Sequence, residues 1–356
     1  MMKNKFSVRL IARLYRLFRR RSPKKVERIL IVSTTGLGDT LWSLPATLSL
    51  RKSFPKAKLF FLTGPFGREL FKNSSVDEII EVPKVRGLKR FKLLPRLYKT
   101  LKSLRPDTVL CFHVQPTYAL LAFLTGAKTY GNPEKVPPLT LTHPFPFTHE
   151  TEHLISHRLR MIEAIGAKAY FNSLHLETDK NQTEQLRLKG APVIGLCIGS
   201  QDAYKIWPPE QFGRLAERLD REFGATLVLI GTAGEGALAK RVQAVFPQAI
   251  DYTGRFSVSE LIHFIDSLDL LISNDTGPAH IGYAVGVPTV TLFSPTNIEQ
   301  NGPYKARAFA MAISQPVTCT PCITTDCHLP LCMRTISVDG VFSAASAALR
   351  NIEVTH

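Results

Sequence analysis

The sequence predicts an α/β protein made of two doubly wound halves, each a parallel sheet covered on both faces by helices. The chain has 356 residues, more than one hydrophobic core usually serves, so two domains of roughly 150 residues each are expected. Short apolar runs alternate with helical stretches along most of the chain, as in parallel sheets with crossover helices. This alternation stops at a proline-rich stretch, residues 132–150, and begins again at residue 193.

In the first half, apolar runs of strand length predict strands at residues 29–33, 59–63, 78–82 and 108–113. The stretches between them predict helices at residues 40–54, 67–73 and 88–104. The proline-rich stretch breaks the pattern and is predicted to be loop. A helix is predicted from about residue 150 to residue 165, ending near Gly166.

The second half repeats this organisation. Strands are predicted at residues 193–198, 226–230, 270–273 and 289–293, with helices at about residues 209–223, 234–245, 258–267 and 278–285. A terminal helix is predicted at residues 338–351. The chain is therefore expected to comprise an N-terminal segment (1–25), a first domain (26–170), a second domain (171–335) and a C-terminal helical segment (336–356).

The net charge of +16 favours acidic partners, such as a phosphorylated substrate or an anionic membrane. Residues 1–25 contain ten lysines or arginines and no acid, and a helical wheel places five of the arginines opposite an apolar arc. Such a basic amphipathic helix can bind an anionic lipid surface; the alternative is a solvated helix or a disordered tail. No apolar run reaches the roughly 18 residues of a membrane span, and arginines interrupt any secretion signal. We therefore expect a cytoplasmic protein, peripheral at the inner membrane face.

The first predicted strand runs into a glycine turn, Gly36-Leu37-Gly38-Asp39, followed by Thr40. The turn has leucine where a dinucleotide-binding fingerprint needs its third glycine, and no Gly-Lys-Ser/Thr follows, so a P-loop is also incomplete. Asp39 has two interpretations. It is the N-cap of the next helix, or it is a carboxylate at the carboxyl end of a strand, where it can accept a proton from a substrate hydroxyl.

The strongest signal is an apolar strand that ends in NDTGPAH, residues 274–280. Gly277 permits close backbone approach, and the N–H groups and dipole of a helix that begins after Thr276 suit a diphosphate. Asp275 or His280 can then reach a sugar or ribose hydroxyl. The alternative is an ordinary helix with Asp275 or Thr276 as its cap.

Two other strand ends carry polar residues. Ser200 and Lys205 follow the strand at residues 193–198, and Lys205 can neutralise charge that develops on a phosphate leaving group. A surface lysine is the alternative. Glu235 follows the strand at residues 226–230 and is suited to adenine or ribose contacts. His113 and His143 have no partner visible in the sequence and are expected to be structural.

Four of the six cysteines fall in one stretch with the spacing C-x₂-C-x₄-C-x₄-C: Cys319, Cys322, Cys327 and Cys332. C-x₂-C pairs are common in zinc and iron–sulfur sites, although zinc sites usually separate two such pairs by a longer loop. A structural metal, free thiols and disulfides all stay open.

Several short motifs, in this order and spacing, resemble glycosyltransferase family 9, which includes the ADP-heptose:lipopolysaccharide heptosyltransferases. They are the GLGD turn at residues 36–39 with Pro45, the lysine loop with Trp207-Pro208, NDTGPAH at residues 274–280 and SPT at residues 294–296. The resemblance covers about residues 28–335. It implies the GT-B fold, in which two Rossmann-like doubly wound domains face a central cleft, with the acceptor bound mainly by the first and the nucleotide sugar by the second. It also implies that the C-terminal helix packs back on the first domain.

The resemblance further implies an inverting transfer that requires no catalytic metal and no cofactor, in which Asp39 is the general base. The donor is expected to be a nucleotide sugar, with ADP-heptose the best match, and the acceptor an acidic glycolipid of the lipopolysaccharide-core type. The remaining implied site residues are the acceptor-side Gly36, Gly38 and Thr40, the catalytic Lys205, and the donor-side Ser200, Glu235, Asp275, Thr276, Gly277 and His280. The loop from Ser200 to Trp207 holds one lysine and no arginine, so the phosphate contacts are expected to differ from those of close heptosyltransferases.

Three other functions stay open. The first is a family 9 transferase with another nucleotide-sugar donor. The second is a GT-B-fold sugar-nucleotide epimerase, which needs a donor but no acceptor. The third is a basic nucleic-acid-binding protein, but no aromatic-interleaved basic motif or known binding module is present, so nucleic acid is not an expected partner.

Overall fold

The structure is a computed structural model that describes residues 25–71, 76–83, 88–189, 192–293, 296–306, 308–315 and 329–355, with residues 317, 319 and 327. The chain divides into two compact units, Met1–Asn172 and Ser173–His356, two residues from the boundary that the sequence predicts. The basic segment proposed for the membrane lies outside the described residues, except for Lys25.

The first unit contains a six-stranded, all-parallel sheet in the order β3-β2-β1-β4-β5-β6. Apolar residues of β1, β2 and β4 are fully or almost fully buried, as expected of strands covered on both faces. The strands are β1 Arg28–Ser33, β2 Lys58–Thr63, β3 Glu78–Glu81, β4 Thr108–His113, β5 Lys128–Gly131 and β6 His143–Pro144.

The helices of the first unit are α1 Leu37–Leu41, α2 Leu44–Ser53, α3 Gly67–Leu70, α4 Leu88–Ser103, α5 Pro116–Phe123 and α6 Leu154–Glu163. The prediction of a single helix at residues 40–54 is wrong, because the helix is interrupted between α1 and α2. Pro45 lies in the first turn of α2, where its missing N–H costs nothing, whereas inside a continuous helix it would remove a hydrogen bond. The predicted loop at residues 132–150 also contains a 3₁₀ turn, Pro138–Thr140, and edge strand β6, where a proline is tolerated.

The second unit repeats the topology with a parallel sheet in the order β12-β11-β10-β7-β8-β9. When its strands are renumbered from one, both sheets have the order 3-2-1-4-5-6, which is that of the dinucleotide-binding α/β fold. The prediction of two doubly wound α/β domains is therefore confirmed. The strands are β7 Val193–Cys197, β8 Thr226–Ile230, β9 Ile250–Asp251, β10 Leu270–Asn274, β11 Thr289–Phe293 and β12 Ala310–Ser314.

The helices of the second unit are α7 Lys180–Leu186, α8 Pro209–Phe223, α9 Gly236–Gln243, α10 Val258–Asp266, α11 Gly277–Val285, α12 Ile298–Asn301, α13 Leu331–Arg334 and α14 Val338–Thr355. Two 3₁₀ turns, Ala203–Lys205 and Ala233–Glu235, follow β7 and β8. Helix α7 lies before the first strand predicted in the second half, where the sequence predicts no helix. Among the described helices, none has the length and apolarity required to cross a membrane.

The terminal helix α14 buries its apolar face in the core of the second unit. Its packing on the first domain, which the family resemblance implies, stays a prediction. Val341, Ala345 and Ala348 recur at helical spacing and are fully buried. These small residues let α14 lie close to α8 and the sheet, and Asp339 in its first turn forms an ion pair with Arg218 of α8.

Candidate functional site

In both units, the polar residues singled out in the sequence lie where the strand order reverses. In the first sheet, β1 and β4 are neighbours, and their connections leave toward opposite edges. Open α/β sheets bind ligands beyond the carboxyl ends of the strands at such a position. Asp39 follows β1 and His113 ends β4, so the topology brings them to the same point.

The Asp39 carboxylate contacts His113 directly. Oδ1 of Asp39 lies 2.6 Å from Nδ1 of His113, while Oδ2 accepts hydrogen bonds from the Thr35 hydroxyl at 2.7 Å and the Gly36 N–H at 3.2 Å. Burial alone would raise the pKa of Asp39, but the neighbouring His113, the Arg158 charge and the Thr35 hydroxyl together hold it well below its usual range. Asp39 is therefore an ionised carboxylate.

The interpretation of Asp39 as the N-cap of the next helix is wrong, whereas a carboxylate at the carboxyl end of a strand is compatible with its position. The N-cap of α1 is Gly36, and Asp39 is the third helical residue, whose carboxylate accepts from the N-cap N–H. Thr40 is buried and donates to the Gly36 carbonyl, and Gly38 is buried within α1. Of the predicted acceptor-side residues, Gly36 therefore contacts Asp39, and Gly38 and Thr40 shape the turn.

Arg158 is a buried arginine that binds the turn carrying Asp39. Its side chain is 1% exposed, and Nη1 donates to the Asp39 carbonyl oxygen at 2.6 Å and to Ser43 Oγ at 3.1 Å. The guanidinium lies 5.3 Å from the Phe112 ring centroid and 5.9 Å from that of Trp42. Burial lowers the pKa of Arg158 to about 10, against the opposing effect of the Asp39 charge, so the group is still a cation at neutral pH.

The second unit carries an ion pair at the corresponding position, where β7 and β10 are neighbours. Nζ of Lys205 lies 3.0 Å from Oδ2 of Asp275, with the side chains 15% and 5% exposed. The Thr296 hydroxyl donates to the same oxygen at 2.5 Å, and Nε2 of His280 lies 4.0 Å from Oδ1. Lys205 is therefore not the surface lysine of the alternative interpretation. Residues 294 and 295 of the SPT motif lie outside the described residues.

Helix α11 begins at the ion pair. Thr276 is its N-cap residue but makes no side-chain capping bond; its hydroxyl donates to the Asn274 carbonyl instead. Asp275 binds Lys205 rather than capping the helix. Thr276 and Gly277 are partly exposed, so the positive end of the helix dipole and its first N–H group can receive an anion.

Asn274 joins this strand end to the lysine loop. Its Oδ1 accepts from the Trp207 N–H at 3.0 Å, and its Nδ2 donates to the carbonyl oxygens of Cys197 and Gly199. The Trp207 indole is fully buried and donates to the Ile336 carbonyl. The loop that carries Lys205 is thus fixed to the end of β10.

Glu235 lies against the loop that follows β7. Its Oε2 accepts from the N–H of Thr232 at 2.6 Å and from the hydroxyl at 3.0 Å. A Cβ atom added to Gly199 would lie 1.8 Å from Oε1 of Glu235, so only glycine lets the carboxylate approach this closely. Ser200, the next residue, accepts from the Asp202 N–H at 3.2 Å. The structure therefore brings Ser200 and Glu235 to one edge of the sheet.

The cysteine stretch is described only in part. Cys319 is exposed, Cys327 is half-buried and Cys332 lies in the core of the second unit, while Cys322 lies outside the described residues. Within the ranges that the structure describes, no three His, Cys, Asp or Glu side chains are grouped as metal ligands.

The sequence did not identify His113 or Arg158 as site residues. His113 was expected to be structural, because Asp39 lies 74 residues away and its proximity depends on the pairing of β1 with β4. For His113, the available signal was a polar residue at the end of an otherwise apolar strand. For Arg158, it was an arginine at a position of α6 that the structure buries.

Comparison with known proteins identifies the family. Residues 96–332 match the family model for glycosyltransferase family 9 (heptosyltransferase). The chain is 26% identical over 333 residues to lipooligosaccharide heptosyltransferase 2 of Campylobacter jejuni, which covers 91% of this chain and 99% of that protein.

Solved structures share the fold. A glycosyltransferase of family 9 from Veillonella parvula superposes with a TM-score of 0.76 at 25% identity, covering 92% of this chain and 98% of that one. The Escherichia coli heptosyltransferase WaaC with ADP superposes with a TM-score of 0.68 at 16% identity, covering 90% and 99%. The chain belongs to glycosyltransferase family 9, the heptosyltransferase family, and is a glycosyltransferase with the GT-B fold.

Proposed function

We propose that this enzyme transfers heptose from ADP-heptose, with inversion, to an acidic glycolipid of the lipopolysaccharide-core type. The names of the relatives support the sugar, and the ADP in the WaaC structure supports the nucleotide. The observation that carries the proposal is the buried Lys205–Asp275 pair beside the N-terminus of α11, at the switch point of the second sheet.

The second unit binds the donor. The N-terminus of α11 at Thr276 and Gly277 receives the diphosphate, because its N–H groups and dipole attract anions. Lys205 lies beside it and balances the charge that grows on the departing diphosphate. Asp275 holds the Lys205 ammonium at 3.0 Å. Ser200, Glu235 and His280 supply the remaining polar contacts to the nucleotide and sugar.

The first unit receives the acceptor. Transfer requires that the attacking hydroxyl loses its proton as the new bond forms, and this step depends on Asp39. General-base groups contribute about 10²–10⁴-fold to such reactions. Replacement of Asp39 by asparagine should therefore lower kcat by that order while the protein folds normally.

The charge distribution supports a lipid-linked acceptor. The net charge of +16 and the ten basic residues among the first 25 favour a phosphorylated glycolipid in an anionic surface. We place the enzyme in the cytoplasm, peripheral at the inner membrane face. Attraction between the basic residues and the anionic surface would then raise the local concentration of enzyme near its acceptor.

Calorimetric binding of ADP, UDP, GDP and dTDP to the intact protein tests the donor site. Selective ADP binding is expected, and Lys205→Ala should weaken it about 10–100-fold, which corresponds to the loss of a charge-assisted hydrogen bond of about 1.5–3 kcal/mol. Asp275→Ala should also weaken ADP binding, because it releases the ammonium from its position. Lys240→Ala, an exposed lysine of α9, is the matched control and should bind ADP as the wild type does.

Product analysis tests the reaction. ADP-heptose with a core acceptor should give a heptosylated glycolipid, and the donor alone should stay unconverted. Preference for another nucleotide would contradict heptose from ADP-heptose but retain a transferase. Conversion of the donor without acceptor would contradict transfer and favour an epimerase.

A further inference from the structure

Asp39 is poorly suited to take a proton itself. Its two carboxylate oxygens already accept from Thr35, Gly36 and His113, and these partners together with Arg158 keep its pKa well below the usual range. A base is most effective when its pKa lies near the working pH. A carboxylate held so firmly in its ionised form has little affinity for the proton of a sugar hydroxyl.

His113 is placed to do what Asp39 does poorly. Since an ionised carboxylate can only accept hydrogen bonds, the 2.6 Å contact requires that Nδ1 of His113 carries the hydrogen. In the neutral ring the lone pair is then on Nε2. The side chain is 35% exposed, and among the residues that the structure describes, Nε2 has no recorded hydrogen bond.

The backbone at the end of β4 aims this ring. The register between β1 and β4 shifts between Val32 and Ser33, so that Ser33 pairs with His113 instead of the preceding residue. Such irregularities redirect side chains and are common beside active sites. The Thr34 N–H donates to the His113 carbonyl at 2.9 Å, which fixes the histidine backbone beside the turn that carries Asp39.

We propose that Nε2 of His113 is the atom that accepts the proton of the acceptor hydroxyl, with Asp39 holding the ring and its charge. In this step the acceptor O–H bond breaks and the proton moves to Nε2. The oxygen forms a bond to the anomeric carbon, and the bond from that carbon to the diphosphate breaks with its electron pair going to ADP. The imidazolium that results is balanced by Asp39 and later releases its proton to water. The inference rests on the proposed function, because it assigns an atom to that reaction.

His113→Asn separates a base from a positioning residue. The asparagine amide nitrogen can occupy the place of Nδ1 and keep the hydrogen bond to Asp39, but nothing replaces Nε2. We expect kcat to fall about 10²–10⁴-fold, with ADP binding within twofold of the wild type. His143→Asn, on the exposed edge strand β6, is the matched control and should retain wild-type turnover.

The pH profile gives a second readout. A base must be deprotonated before it can accept a proton, so kcat/KM of the wild type should fall on the acid side of its pH profile. Asp39 from α1 and Arg158 from α6 are the charged groups beside His113, and both keep their charge around neutral pH. The residual activity of His113→Asn should lack this acid limb.

The outcomes are distinct. Wild-type turnover in His113→Asn, or the same acid limb in His113→Asn as in the wild type, would overturn the assignment and leave Asp39 as the base. A wild type that binds ADP but transfers no sugar from any nucleotide sugar would overturn the proposed function and this inference together. Loss of turnover in His113→Asn, with ADP binding and the acid limb as expected, would support both.

Discussion

Arg158 should matter for turnover far more than for stability, and Arg158→Met tests this separation. The change removes a charge-assisted bond to the Asp39 carbonyl oxygen, about 1.5–3 kcal/mol, and a bond to Ser43, about 0.5–1.5 kcal/mol. It also removes Nε and Nη2, which are buried and have no hydrogen-bond partner among the described residues. Each such atom costs the folded state about 1–3 kcal/mol.

The Asp39 carboxylate also loses the nearby Arg158 charge but keeps its hydrogen bonds from Thr35, Gly36 and His113, so these contributions nearly cancel. The Asp39 carbonyl still accepts from the Ser33 and Ser43 hydroxyls, and methionine fills much of the volume beside Phe112. We therefore expect the free energy of unfolding to change by no more than about 2 kcal/mol in either direction. For a unit of this size, the melting temperature should shift by less than about 8 °C. Turnover should nevertheless fall about 10–100-fold, because the turn that carries Asp39 loses its charged anchor.

Arg160→Met is the matched control on the same helix. Arg160 is bonded to the largely buried Glu152 at 2.9 and 3.0 Å and does not contact Asp39. Arg160→Met leaves the Glu152 carboxylate without its cation, so the free energy of unfolding should fall by roughly 2 kcal/mol. The loss is smaller than for a fully buried ion pair, because Arg160 is one-third exposed. Its kcat should be unchanged. Calorimetric unfolding with steady-state kinetics decides the matter: wild-type kcat in Arg158→Met, or destabilisation above about 4 kcal/mol, would refute the reasoning.

Three further predictions concern the second unit and the metal requirement. Asn274→Ala should destabilise by about 2–4 kcal/mol in urea unfolding, because it leaves the buried Trp207 N–H without its acceptor; a change below about 1 kcal/mol would contradict this. Gly282→Ala should destabilise by about 1–3 kcal/mol, since the new Cβ would lie 2.5 Å from Thr289 Oγ1 and force α11 from the sheet; an unchanged melting temperature would count against it. We also propose that transfer needs no metal, because Lys205 and the α11 N-terminus supply the positive charge; turnover should survive EDTA, and loss restored by added Mg²⁺ or Zn²⁺ would contradict it.

The central strands of both sheets were predictable because they are apolar runs of strand length. The predicted strand at residues 108–113 coincides with β4, and the one at residues 226–230 coincides with β8. Edge strand β3 was also predicted, at residues 78–82, whereas edge strands β6, β9 and β12 were not. β6 and β9 have two residues each, too few for any periodicity. They form because their backbones pair with a neighbouring strand. The packing of α14 in the second unit could not be deduced either, since an apolar helical face does not specify which core it joins.

The site was predictable as a set of residue types but not as a set of contacts. Glycine, carboxylate and lysine residues at strand ends indicated where ligands bind. Open α/β sheets bind ligands beyond the carboxyl ends of their strands, and the direction of a strand is enough to locate that end. The partners of these residues depend on strand order. Asp39 meets His113 across 74 residues of chain, and Lys205 meets Asp275 across 70. Each contact follows from two strands being adjacent at the switch point, which local sequence does not encode.

The two switch points place their polar residues in the same way but are suited to charges of opposite sign. In each sheet, a charged residue after the first strand of the unit meets a polar partner at the end of the fourth. Asp39 with His113 makes a site that can hold a positive charge gained during the reaction, whereas Lys205 with Asp275 and the α11 N-terminus makes one that can hold a negative charge. Glycosyl transfer needs both, since a proton leaves the acceptor and a diphosphate leaves the donor. Because each charged group is already held by its partner before any ligand binds, little reorganisation is required when charge develops, and this is the condition under which electrostatic stabilisation is most effective. The fold therefore supplies the same position twice, and the residues placed there decide which charge it accommodates.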